Sequence, residues 1–140
     1  MWSDRASAVR AGGTAAIAKG VLGRWFTAAF ATDHADAAAR FRTMLEAVPR
    51  EGYAACCDAL AVWDARESVR RVEAPTLAIA GAEDVATPPS DAEYLAETIP
   101  GARLAVLEHA AHLANVEQPE AFDRVLLDHL AVPVGAKGSA

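Results

Sequence analysis

"TLAIAGAEDVATPPSDAEYLAETIPGARLAVLE", Thr76 to Glu108, holds two short apolar runs on either side of a helical stretch. The first run, Thr76 to Gly81, follows Pro75 and stops at a glycine, which reads as a buried strand. The second, Arg103 to Glu108, reads as another strand. Between them Ser90 and Glu93 have capping-box spacing, which predicts a helix opening at Ser90 and closing near Ile99, before Pro100 and Gly101. Downstream, Pro119 suits the first turn of a last helix with Phe122, Val125, Leu126 and Leu130 on one face. Strand, helix, strand, helix predicts a right-handed βαβ unit with a parallel pair. Buried parallel strands ordinarily have neighbours on both sides and helices on both faces. Residues 70–131 therefore read as the end of a larger α/β sheet, and residues 132–140, "VPVGAKGSA", as a flexible tail.

Upstream the grammar changes. From Trp2 to about Val69 the text is helical, punctuated by Gly12, Gly13, Gly20, Gly23 and Pro49. Thr32 or Asp33 is placed to cap a helix carrying Phe41, Met44, Leu45 and Val48, and a further helix would carry Tyr53, Cys56, Cys57, Leu60 and Trp63. Several short helices with small apolar faces make little core of their own, so residues 1–69 read as a layer lying on something else.

The bulk properties narrow the partners. Hydrophobic residues make up 53% of the 140, enough for one domain, although alanine supplies much of that surplus and buries little area. A net charge of −6 argues against nucleic acid or an anionic membrane surface, both of which need clustered Lys and Arg. No apolar run approaches the roughly 20 residues of a membrane span. The N-terminus, with Asp4, Lys19 and Arg24, does not read as a signal peptide. Cys56 and Cys57 are adjacent, which suits neither a relaxed disulfide nor a zinc pattern, and predicts two small buried helix residues in a reducing cytoplasm.

In open parallel sheets, functional groups sit just past the carboxyl ends of the strands. Asp84 follows the first strand and His112 the second, and adjacent strands would bring their loops together. A carboxylate beside an imidazole fixes one tautomer and leaves the other nitrogen as a general base. Glu83 is the alternative acid, separated from Asp84 only by position. A metal reading of His109 and His112 is weaker, because their spacing falls on a strand-to-loop turn and no third ligand follows. His34, at a helix start, and His129, on the shoulder of the last helix, read as surface or packing residues. Trp25, Phe26, Tyr53 and Trp63 read as core.

"PTLAIAGAEDVATPP" followed by "ARLAVLEHAAHLANVEQPEAF" resembles the last third of an α/β-hydrolase. More specifically, "GRWFTAAF" (Gly23–Phe30), "EGYAACCDALAVWDAR" (Glu51–Arg66) and "AHLANVEQP" resemble the cap and C-terminal part of 3-oxoadipate enol-lactonases of the β-ketoadipate pathway of aromatic catabolism. The resemblance runs from Trp2 to about Leu130. It implies a helical cap over residues 1–69, followed by the last two strands and helices of the hydrolase sheet. It further implies a small lactone acid as substrate, Asp84 as triad acid, His112 as triad base and Trp25 in the cap wall over the substrate, with no metal and no cofactor. Such enzymes attack with a serine on a G-x-S-x-G elbow. Ser3, Ser7, Ser68, Ser90 and Ser139 all lie outside such a motif. The expectation is a chain inactive by itself, completed by an N-terminal half of the fold and prone to self-association through the strand edge that half would cover.

Overall fold

The computed structural model describes residues 1–131 and divides the chain into two compact units between Ala65 and Arg66. The expected tail, residues 132–140, lies outside the described residues.

The first unit is entirely helical: α1 (Trp2–Gly12), α2 (Ala15–Trp25), α3 (Ala28–Asp33), α4 (Ala35–Glu46) and α5 (Arg50–Val62). Small residues let α1 and α5 approach closely, with Ala6, Val9, Ala54 and Cys57 buried together. A second cluster joins Ala18 and Val21 of α2 to Leu45 of α4, and Ile17 and Tyr53 pack against both clusters. Val9 has no exposed surface, and burying such a side chain contributes roughly 1.5–3 kcal/mol. At the rim, Arg10 clamps α1 to α5 through Asp58 (2.6 Å) and Glu51 (3.2 Å). The buried Thr14 hydroxyl donates to the Glu46 carbonyl, tying the start of α2 to the end of α4.

Four sequence expectations are corrected in this unit. The first is Trp63, read as a core residue of the helix carrying Tyr53: it follows the end of α5 and is 69% exposed. Neither Thr32 nor Asp33 caps α4, because both lie in the last turn of α3, where the Thr32 hydroxyl donates to the Ala28 carbonyl. The side-chain cap belongs to Thr27, whose oxygen accepts from the Phe30 N–H. Cys57 is buried but Cys56 is exposed. Consecutive helical residues point about 100° apart, so a narrow contact stripe cannot take both. The proposed α4 face is also only partly covered: Leu45 is buried, Phe41 is half-buried, and Met44 and Val48 are exposed.

The second unit contains β1 (Leu77–Gly81), α6 (Pro89–Thr98), β2 (Arg103–Leu107), α7 (Ala114–Glu117) and α8 (Pro119–Leu130), preceded by a short 3-10 turn at Val69–Arg71. The strands are parallel, in register from Leu77 opposite Arg103 to Gly81 opposite Leu107. Ile79 and Leu107 share one face and meet Phe122 and Val125 of α8, whereas Leu130 at the end of the expected α8 face is exposed. Ala78 and Ala80 point the other way and are buried, but Leu104 and Val106 on that same face of β2 remain partly exposed. α6 packs against both strands. It opens at Pro89, with Pro88 as its N-cap, so the Ser90 capping box does not form. Proline at the first helical position already has the required φ and lacks the N–H a cap would satisfy.

Candidate active site

Both strands end at the same level, Gly81 opposite Leu107, and the two turns that follow are stitched together by backbone. The Ala82 N–H donates to the Leu107 carbonyl and the Glu83 N–H to the Ala110 carbonyl, each at 2.9 Å. Gly81 makes this close approach feasible: a Cβ there would run into the carbonyl oxygens of Ala110 and Ala111. Asp84 then turns back, its N–H donating to the Gly81 carbonyl.

The Asp84 side chain is buried and saturated. Its Oδ1 accepts from the Ala86 N–H (2.7 Å) and the Thr87 N–H (3.0 Å). Its Oδ2 accepts from the Thr87 hydroxyl (2.9 Å) and lies 2.8 Å from Nδ1 of His112. Burial pushes the Asp84 carboxyl up, but the bonds from the Thr87 N–H, His112, the Ala86 N–H and the Thr87 hydroxyl outweigh it, leaving the pKa below its ordinary 3.8. An ionised carboxylate only accepts, so the shared proton sits on Nδ1 of His112. Nε2 is then the nitrogen with a free lone pair, on a ring whose side chain is 36% exposed.

The His112 turn is held from outside itself. Glu117, almost fully buried, accepts the Ala111 N–H through Oε2 at 2.6 Å. Gln118 donates from Nε2 to the His109 carbonyl at 3.1 Å. His109 is exposed and adopts a left-handed backbone with φ 57°, while the Glu83 side chain is exposed to solvent. Between the alternatives left open by sequence, Asp84 and not Glu83 meets His112. Thr87, Glu117 and Gln118 were not singled out from sequence. The run D-x-x-T was a usable signal for Thr87, because Asp side chains bond backbone N–H groups two and three residues on.

Trp25 is half-buried in the helical unit, its ring edge-on to Phe41 at 6.4 Å. His34 packs on Phe30 with ring centroids 4.6 Å apart, and His129 is half-buried on α8. Among the described residues no three His, Cys, Asp or Glu side chains are grouped to hold a metal ion. Nor is any helix there long and apolar enough to cross a membrane.

Solved structures of hydrolases superpose on this chain. The enol-lactonase of Burkholderia xenovorans LB400 does so with a TM-score of 0.91 and 35% identity, covering 94% of this chain and 50% of its own. A thermophilic esterase from Thermogutta terrifontis gives 0.85 and 29%, covering 92% and 48%. No family model matches the sequence. The chain belongs to the α/β-hydrolase superfamily. Within it, the sequence is similar to 3-oxoadipate enol-lactonase 2 of Acinetobacter baylyi, 42% identical over 125 residues, which are 89% of this chain and 46% of the relative. The chain thus spans about half the length of the relatives it matches.

Proposed function

We propose that this chain carries the acid and the base of a serine hydrolase that opens a small enol-lactone acid, 3-oxoadipate enol-lactone by analogy with its relatives. Asp84 is the acid, His112 the base and Trp25 a cap residue over the substrate. The observation that carries the reading is the 2.8 Å contact between Asp84 Oδ2 and His112 Nδ1, which leaves Nε2 to take a proton. A serine on a G-x-S-x-G elbow, supplied by an N-terminal half of the fold, attacks the lactone carbonyl as His112 Nε2 accepts its proton. The acyl–oxygen bond breaks, the leaving enol oxygen takes that proton back, and the enol tautomerises to the ketone. Water, deprotonated by His112, then attacks the acyl carbon, the acyl–serine bond breaks, and His112 returns the proton to the serine oxygen as the acid leaves. Asp84 stabilises the imidazolium at both stages without itself being protonated.

The chain by itself then lacks the nucleophile and should not turn over the lactone above background. The test is to assay it alone and after mixing with an enol-lactonase N-terminal half bearing the elbow. Activity that appears only on mixing, and that His112→Ala or Asp84→Asn reduces at least about a thousandfold, is the expected result. Stoichiometric labelling of a serine of this chain by a phosphonate would overturn the missing-nucleophile assignment. The likeness to an esterase supports a second reading, a cap-bearing hydrolase of simple esters. Comparing lactone with ester substrates on the mixed enzyme separates the two.

A further inference from the structure

An ionised carboxylate has about four lone-pair sites, and all four at Asp84 are filled, two of them by Thr87. The Thr87 backbone N–H binds Oδ1, while its hydroxyl binds Oδ2, the oxygen that faces the base. That hydroxyl also stands 3.2 Å from His112 Nδ1, so threonine, aspartate and histidine form a closed triangle. With the hydroxyl proton directed to Oδ2 at 2.9 Å, the hydroxyl oxygen turns its lone pairs toward the Nδ1 proton. The Asp84 side chain is only 4% exposed, so water has little room to replace a lost donor at Oδ2.

We infer that Thr87 is a positioning residue for the Asp84–His112 pair, its hydroxyl fixing the carboxylate oxygen that the base shares. The role rests on the proposed hydrolase reading for its purpose, but not for its detection. Without that hydroxyl, Oδ2 keeps one donor, the carboxylate holds three of its four bonds and gains freedom about its Cβ–Cγ bond, and the Nδ1 proton of His112 loses one of its two acceptors, which weakens the preference for that tautomer. Thr87→Val removes the hydroxyl and keeps the branched shape; Thr87→Ser keeps the hydroxyl and removes the methyl.

The experiment is nuclear magnetic resonance on the full chain, following the Asp84 carboxyl carbon with pH and the ring nitrogens of His112. In Thr87→Val the Asp84 titration should move up, since a hydrogen bond to the charged form is lost. The His112 nitrogens should shift toward a mixture of the two neutral tautomers. Thr87→Ser should restore both signatures. Unchanged titration and tautomer in the valine variant would overturn the inference, as would equal changes in valine and serine variants, which mark a packing role. Should the valine variant not fold, the unmodified chain decides: a Thr87 hydroxyl proton protected from exchange and close to the His112 ring is expected, and a freely exchanging one overturns the role. An inactive mixed enzyme would count against the hydrolase reading alone, because these resonances do not depend on turnover.

Discussion

The Asp84 and His112 turns occupy equivalent places past neighbouring strands, yet they are held in opposite ways. The acid is fixed by its own next three residues, with Ala86 and Thr87 closing on its carboxylate. The base sits on a turn whose own residues do little of the holding: Glu117 and Gln118, from the following helical segment, grip the backbone at Ala111 and His109. The acid is nearly buried and the base partly open. A group that stays charged through a reaction cycle suits a rigid, saturated cradle. A group that must exchange protons suits a ring held by its backbone, with one edge left open.

The harshest way to break the comparison is to separate the two turns. Gly81→Ala should cost about 3 kcal/mol, the upper end for overpacking, because its methyl meets the backbone carbonyls of Ala110 and Ala111 and not a pliable side chain. A denaturant titration reads that loss, and the Asp84–His112 contact should be lost with it. Glu117→Ala attacks the base turn alone and should cost about 2 kcal/mol by leaving the Ala111 N–H unsatisfied. Glu117→Gln retains an acceptor oxygen and should cost under about 1 kcal/mol. Equal losses from the two substitutions would show that charge, not the hydrogen bond, is what Glu117 provides.

The acid turn is probed more gently by pH. The Asp84 pKa is depressed in the folded chain, so its stabilisation is fully present above about pH 4 and is lost as pH falls through the lowered native value. Urea midpoints from pH 5 down to pH 2 should fall more steeply for the unmodified chain than for Asp84→Asn, which has no proton to bind there. The smallest change sharpens the comparison from the other side. His109→Gly should stabilise by about 0.5 kcal/mol, since relief of the left-handed backbone exceeds the entropy that glycine adds to the unfolded chain. A thermal melt suffices to read it.

Much of this was legible in the text of the chain. Pro75 and Gly81 bracket β1, and the period of Phe122 and Val125 marks α8, because backbone restriction and burial both act locally. Asp84 and His112 were legible as strand-end residues once the strands were seen. The start of α6 was misplaced by two residues because two physical signals compete there, and the preset φ of Pro89 outranks the hydroxyl of Ser90. Glu117 looked like any surface helix carboxylate. Its burial depends on the Ala111 N–H turning toward it, a tertiary event with no local signature. Thr87 stood between the two, adjacent to the acid in sequence but joined to the base only through the sheet.

The two strands also leave a pattern that amide hydrogen exchange can read. The Arg103 N–H donates to the Thr76 carbonyl and the Ala82 N–H to the Leu107 carbonyl. In a parallel ladder the direction alternates along each strand, so the amides of Ala78, Ala80, Arg103, Ala105 and Leu107 face the partner strand while Leu77, Ile79, Leu104 and Val106 face outward. A dilute chain should therefore exchange as a comb, slow and fast amides alternating along both strands. Pairing along the β1 side would slow Leu77 and Ile79 and leave Leu104 and Val106 fast. Pairing along the β2 side would do the opposite. Which teeth of the comb fill in, as concentration rises or a sheet half is added, identifies the edge that accepts a neighbour.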